Sequence, residues 1–214
     1  MITVWGRRSS SYVQATLWCL AELGLEFERI DAGLHHGVTN TPEYLAMNPS
    51  GQVPTLVDGS DPPLFESSAI IRYLASRYGS APFWPDEIVA RSQIDKWLDW
   101  ANINVAAFFG NAVFWPLVRT PPAQINHAKI HRRLKRLNGA LGIADGRLLQ
   151  HDYLCGDAFT LADIQMGHCL YRYFDIDIPR PPFHELESYF HRLAQREAHR
   201  QHVMVDYEEL RVPM

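Results

Sequence analysis

Residues 48–70 read NPSGQVPTLVDGSDPPLFESSAI. The runs VPTLV and PLF are separated by Asp58-Gly59, a turn signal that makes them an antiparallel hairpin, and Ile70, Tyr73 and Leu74 then repeat with helical spacing. Pro54 has no N–H to give to a β-ladder. It therefore belongs at an edge or a bend, where an X-Pro bond also has access to the cis form. A bend there leaves the backbone of Val53 free to pair, strand-like, with an extended peptide ligand. Glu66-Ser67 falls where the last strand passes into a helix. Unpaired amides, the helix dipole and a serine hydroxyl converge at that point and favour a carboxylate. The local chemistry asks for a small anionic peptide.

Upstream, ITVW (residues 2–5) is a short apolar run ended by Gly6, and Ser9, Ser10 and Ser11 are N-cap residue types ahead of a helical pattern. Val13, Leu17, Leu20 and Leu23 share one face, Gly24 is a helix stop, and EFERID alternates with period two. Strand, helix and strand with short connections predict a parallel pair joined by a right-handed crossover. The first 78 residues thus read β-α-β, a loop with a short helix, then β-β-α, an α/β domain. GSAPFWPDE, from Gly79, concentrates Gly, Ser and Pro and predicts a linker over residues 79–86.

Residues 87–214 read as all-helical. Ile94, Trp97, Leu98, Ala101, Val105, Phe108 and Ala112 keep helical spacing toward Pro116, and Pro121-Pro122 predicts the start of another helix with an inner face of Ile130, Leu134, Leu137 and Leu141. TLADIQMGHCLYRYF is apolar nearly all round, so it predicts one central helix, with Thr160 and Asp163 as its capping box. Phe183, Leu186, Phe190 and Leu193 mark a further helix.

Composition excludes several function classes. The chain has 214 residues, 47% hydrophobic and 21% charged, with a net charge of −4, which suits a soluble globular protein and disfavours a nucleic-acid partner. The tract VAAFFGNAVFWPLV is interrupted by Gly110, Asn111 and Pro116, so no membrane span is expected. Cys19, Cys155 and Cys169 are odd in number and lack any CxxC, so neither a disulfide framework nor a zinc site is expected, and a reducing cytoplasm fits. His127, Lys129, His131, Arg132, Arg133, Lys135 and Arg136 form the solvent face of an amphipathic helix rather than a metal or RNA site. His168 reads as a hydrogen-bonded core histidine.

The order of elements, the serines at the first helix start, NPSGQVP, ESSAI with RYL, the linker and FTLADI together resemble a soluble glutathione transferase, and the likeness spans essentially the whole chain. Among the classes of that family it is similar to the serine-type bacterial members near theta, phi and zeta, because no tyrosine stands in the strand-helix loop before the serines. The resemblance implies a thioredoxin-like amino-terminal domain that holds glutathione, a helical carboxyl-terminal domain forming much of the electrophile pocket, a homodimer, and no metal or organic cofactor. It makes Val53 the backbone partner of the cysteinyl unit, Pro54 a cis-proline, Gln52 a neighbouring contact, and Glu66 and Ser67 the holders of the γ-glutamyl end. His36 is a possible contact for the glycyl carboxylate. Ser10 is the catalytic position, with Ser9 and Ser11 as alternatives; Tyr12 departs from the small polar residue commoner there.

The chemistry supports a hydroxyl at that place. A thiol of pKa near 8.5 is mostly protonated at neutral pH and only its thiolate attacks readily. A serine donating to sulfur at a helix N-terminus stabilises the anion by hydrogen bond and by dipole. One or two of Phe108, Phe109, Phe114 and Trp115 should line an apolar electrophile pocket. The expected function is conjugation of glutathione to hydrophobic electrophiles. The alternatives are a non-catalytic glutathione-binding protein, or a glutathione-dependent isomerase, dehalogenase or peroxidase on the same scaffold.

Overall fold

A computed structural model describes residues 1–212. Its first part is the α/β unit: β1 (Ile2–Trp5), α1 (Ser11–Glu22), β2 (Phe27–Ile30), α2 (Pro42–Met47), β3 (Thr55–Asp58), β4 (Leu64–Phe65) and α3 (Ser67–Tyr78). The sheet order is β2-β1-β3-β4, with β1 parallel to β2 and antiparallel to β3, and β3 antiparallel to β4. This is the thioredoxin-like arrangement that the strand-helix-strand and hairpin signals imply. Alternation along β1 divides its side chains between two layers. Ile2 and Val4 enter the core, while Trp5 meets Tyr44 of α2 edge-on with ring centroids 6.3 Å apart.

Gly6 is the tightest point of the β1–α1 connection. Its φ is +155°, and a Cβ there would lie 2.4 Å from Val13 Cγ2, so only glycine lets α1 start against the end of β1.

The helical part begins with α4 (Ile88–Val118), a single 31-residue helix carrying wide π turns at Asn102–Ala106 and Gly110–Phe114. Gly110, Asn111 and Pro116 interrupt its apolar run but not its backbone, and it ends two residues past Pro116, close to where the helical spacing predicts. Pro116 offers no N–H to the preceding turn, and the Arg133 guanidinium donates instead to the Ala112 carbonyl at 2.9 Å. By length and composition α4 could cross a membrane. In the fold it supplies Ile94, Leu98, Ala101, Val105, Phe109 and Val113 to the core.

α5 (His127–Leu148) starts six residues after Pro121 rather than at it, because the prolines form a separate 3-10 turn (Pro122–Gln124) and Asn126 Oδ1 caps the helix by accepting from the Lys129 amide at 2.9 Å. Its buried stripe is Ile130, Leu134, Leu137 and Leu141. The expected single central helix is two, α6 (Leu161–Gly167) and α7 (Leu170–Asp175), bent at His168-Cys169. Asp163 nonetheless closes the capping box, accepting from the Thr160 amide at 2.8 Å and its hydroxyl at 3.0 Å. α8 (His184–Ala194) and α9 (Glu197–His202) complete the helices.

The two parts share one hydrophobic core. Trp18 of α1 is wholly buried beside Gly167, where a Cβ would stand 2.9 Å from the indole, and it packs edge-on against His199. Arg196 clamps Glu22 through two bonds of 2.7 and 2.6 Å. Trp84, inside the expected linker, is also buried and donates to Ser76 Oγ at 2.8 Å. Ser10, at the N-terminus of α1, is thereby fixed relative to α4 and α7.

Candidate active site

The NPSGQVP loop is shaped by Asn48. Its buried amide nitrogen donates to the Gln52 carbonyl at 2.9 Å and to Thr55 Oγ1 at 3.0 Å, while its amide oxygen accepts from the Ser50 amide at 3.0 Å and hydroxyl at 2.6 Å. The Tyr44 hydroxyl donates to the same Gln52 carbonyl at 2.5 Å. One side chain thus bridges both limbs of the loop. The chain then enters a cis Val53–Pro54 peptide ahead of β3. Among the described residues, neither the N–H nor the carbonyl of Val53 has a hydrogen-bond partner. That free backbone faces a groove between the two parts of the molecule.

The groove has two lobes that meet at Tyr12, Gln52, Val53 and Asn111. One, of 360 Å³, reaches Pro54, Glu66 and Ser67. Glu66 has a φ of +70°, a conformation a side-chain-bearing residue rarely adopts, and Ser67 behind it is buried. The 12-residue α3 starts at this lobe with no side-chain cap, so its first amides and its dipole favour an anion there.

The other lobe, of 410 Å³, holds Ser10, Ser11, Phe109, Phe114, Trp115, Cys169 and three arginines, Arg7, Arg119 and Arg172. Ser10 is the N-cap residue of α1, but its side chain makes no capping bond. Its hydroxyl is therefore free for another partner at the positive end of a helix. Ser9 is buried with its hydroxyl unpartnered and lines neither lobe; Ser11 lines the same lobe as Ser10. Burial pushes the Tyr12 phenol up to about 12, so at neutral pH it keeps its proton and has an O–H to donate. Burial also pushes the Cys169 thiol up to about 12, which leaves it un-ionised and a poor nucleophile.

The sequence-expected residues Ser10, Gln52, Val53, Pro54, Glu66 and Ser67 all border this one groove. His36 does not. Its ring lies tilted against that of His35 with centroids 4.0 Å apart and approaches Asp31 at 3.8 Å, and His35 approaches Glu209 at 3.6 Å. Ligand-type atoms of His35, His36 and Glu209 lie within 4.8 Å of one another, a grouping that could hold a metal ion, at the protein surface. Phe109, Phe114 and Trp115 line the groove, whereas Phe108 lies under the Arg136 guanidinium at 4.5 Å. Sequence reasoning missed Arg7, Arg119, Arg172 and Asn111. Arg172 left one signal, a cation in an otherwise apolar central segment.

Comparison with known proteins agrees with this architecture. Residues 1–76 match the model of the glutathione S-transferase N-terminal domain, and residues 105–197 that of the glutathione S-transferase C-terminal domain. Over 206 residues the chain is 37% identical to glutathione S-transferase GstB of Escherichia coli K12, covering 96% of this chain and 99% of that one. A theta class glutathione S-transferase from the citrus canker pathogen Xanthomonas axonopodis pv. citri, solved with glutathione bound, superimposes with a TM-score of 0.89 at 41% identity, covering 96% of this chain and 98% of that one. Glutathione transferase F2 from Populus trichocarpa gives a TM-score of 0.83 at 26% identity, covering 94% and 96%.

Proposed function

The chain belongs to the glutathione S-transferase family and is a transferase that uses glutathione, and from that premise we propose how its own residues carry the reaction. Glutathione lies along the groove. Its γ-glutamyl carboxylate sits at the start of α3 against Glu66 and Ser67, its cysteinyl backbone pairs with Val53 beside Gln52 and Pro54, and its sulfur reaches Ser10. The observation that carries this reading is the meeting of the two lobes at Val53, with the anion-attracting helix start in one and the uncommitted Ser10 hydroxyl in the other.

In this arrangement the enzyme acts by positioning and by stabilising sulfur. The Ser10 hydroxyl and the α1 dipole favour thiolate over thiol, raising the reactive fraction at neutral pH. Phe109, Phe114 and Trp115 give an apolar wall against which a hydrophobic electrophile can be held near the sulfur, a bimolecular step made effectively intramolecular. No metal or organic cofactor takes part. The division into a glutathione-binding domain (1–78), a linker (79–86) and a helical domain (87–214), a homodimeric assembly and a cytoplasmic site of action belong to the same reading.

Calorimetry with millimolar glutathione, followed by a thioether assay over a panel of aryl and alkyl electrophiles, tests it. Saturable binding with turnover is the expected result. Binding without turnover would favour the non-catalytic alternative, and absence of binding would reject the reading. Sedimentation should give twice the 24.5 kDa chain mass.

A further inference from the structure

The Ser10 lobe is more cationic than a pocket for a purely apolar electrophile requires. Arg7 and Arg172 are at least nine-tenths buried, and each has an Nε–H without a partner. Arg172 donates from Nη2 to the Ser9 carbonyl, which seats it directly behind the Ser10 position. Its guanidinium carbon lies 4.9 Å over the Phe114 ring. Arg119, exposed at the mouth, stacks on Trp115 at 4.0 Å. Among the described residues no carboxylate lies within ion-pair distance of any of the three; Glu209, the acid whose charge Arg7 feels, approaches His35 instead. Burial, then the nearby Arg119, holds the Arg7 guanidinium below its usual value, and burial holds Arg172 down to about 10.

Buried cations without counter-charge are costly, and the cost falls when a ligand supplies the anion. Glutathione cannot supply enough. One of its carboxylates is taken by the start of α3. On the glutathione reading the glycyl carboxylate goes to the Gly33–Thr39 edge of the lobe, where Arg7 lies close enough that a Cβ on Gly33 would be 3.0 Å from its Nη1. Arg119 and Arg172 remain, on the aromatic side of the lobe.

We infer that the second substrate is an aromatic or short-chain electrophile bearing an anionic group, a carboxylate or sulfonate, which Arg119 and Arg172 hold while its reactive carbon faces the sulfur. This rests on the glutathione reading above and names the substrate class of the same site. For a halogen-bearing electrophile the thiolate attacks that carbon, the C–S bond forms as the carbon–halogen bond breaks, the bonding pair leaves with the halogen as halide, and the anionic group keeps its charge throughout. Planar guanidinium forks suit carboxylate and sulfonate oxygens, and the aromatic rings beneath them hold the rest of the molecule.

The test is a matched pair of electrophiles, 4-(bromomethyl)benzoate and 4-(bromomethyl)benzamide, each rate divided by its uncatalysed rate with glutathione. The wild-type kcat/KM should favour the carboxylate by at least about tenfold, as one charge-assisted contact implies. Arg119→Gln, at an exposed position that leaves the core intact, should bring that ratio toward one. A wild-type ratio near one, or an Arg119→Gln variant that lowers both substrates equally, would overturn the inference and give the arginines to the thiolate. Calorimetry with the two ready-made thioethers separates this from the parent reading. If neither electrophile turns over, yet the carboxylate thioether binds tenfold more tightly than the amide, conjugation fails while the anion subsite stands. Equal binding of the two thioethers overturns the subsite.

Discussion

Asn48 Nδ2 donates to the Gln52 carbonyl across 2.9 Å, so a wholly buried side chain holds the backbone one residue ahead of Val53. Its other contacts, to Ser50 and Thr55, tie that carbonyl to both ends of the loop. Asn48 touches neither the Ser10 hydroxyl nor the start of α3. Asn48 also borders the Glu66–Ser67 lobe, but its hydrogen bonds all go to the loop and to Thr55, so its main effect is on the conformation of Gln52-Val53.

Asn48→Ala should weaken glutathione binding by roughly 5- to 50-fold, the scale of one or two lost backbone-ordering hydrogen bonds. Calorimetry on the folded variant reads it directly. Because Ser10 and the α1 dipole stay in place, the pKa of bound thiol should move little, and a large rise in it would show that the loop also aims the sulfur.

Asp163 gathers four donors: the Leu154 amide at 3.0 Å, the Thr160 amide at 2.8 Å and hydroxyl at 3.0 Å, and the Tyr189 hydroxyl at 2.9 Å. It joins the start of α6 to α8 at full burial. Asp163→Ala leaves all four unsatisfied and should cost about 3–5 kcal/mol. For a chain of this length that corresponds to a fall of roughly 6–20 °C in Tm. A calorimetric scan showing a loss under about 1 kcal/mol would mean that water replaces the carboxylate there.

Much of this was legible because the signals are local. Asp58-Gly59 between the apolar runs VPTLV and PLF specifies the β3–β4 hairpin, and Thr160 with Asp163 three residues on specifies a helix start whatever surrounds it. Val53 and Glu66-Ser67 stand out because they sit at element boundaries, where unpaired backbone groups collect, whereas Ser10 is separated from Ser9 and Ser11 only by the family resemblance. What was not legible depends on tertiary contact. The Arg133 bond that takes up the Ala112 carbonyl ahead of Pro116 comes from another helix, and the bend at His168-Cys169 is marked in sequence only by Gly167, inside an otherwise continuous helical pattern. The arginine cluster is drawn from positions 7, 119 and 172, which no local pattern relates.

Stability should fall on mild acidification. Burial pushes the His168 imidazole down to about 3 and the His199 imidazole down to about 4, and the Gln165 amide donating to His168 Nε2 at 3.2 Å requires that ring to be neutral. Both folded values lie below the unfolded value of about 6.5. Between about pH 6 and pH 4 the unfolded chain therefore binds up to two more protons than the folded one. The stability they contribute is complete above about pH 7 and is lost at up to about 2.7 kcal/mol per pH unit as pH falls. Urea midpoints from pH 7.5 to 4.5 measure the slope; His199→Gln should lower it by about 1.4 kcal/mol per unit, and an unchanged slope would mean His199 titrates normally.

Ser10→Ala addresses the chemistry with little structural disturbance. A serine that caps its helix is worth about 1 kcal/mol, but the Ser10 side chain makes no capping bond, so its loss should change stability by less than about 0.5 kcal/mol. If its hydroxyl donates to the glutathione sulfur, the variant should raise the pKa of the bound thiol toward that of free glutathione. Affinity should be nearly unchanged, since Val53, Glu66 and Ser67 remain. Turnover at neutral pH should then drop by about ten- to a thousandfold, the range for removing one preorganised donor to an anion. Ultraviolet titration of the bound thiolate reads the pKa without turnover. A depressed pKa that survives Ser10→Ala but disappears in Ser11→Ala or Tyr12→Phe would move the donor to one of those neighbours, which line the same lobe. The same outcome with Ser9→Ala would require its buried hydroxyl to turn out of the core. A wild-type pKa no lower than that of free glutathione would remove Ser10 from catalysis and leave a site that binds glutathione without activating it.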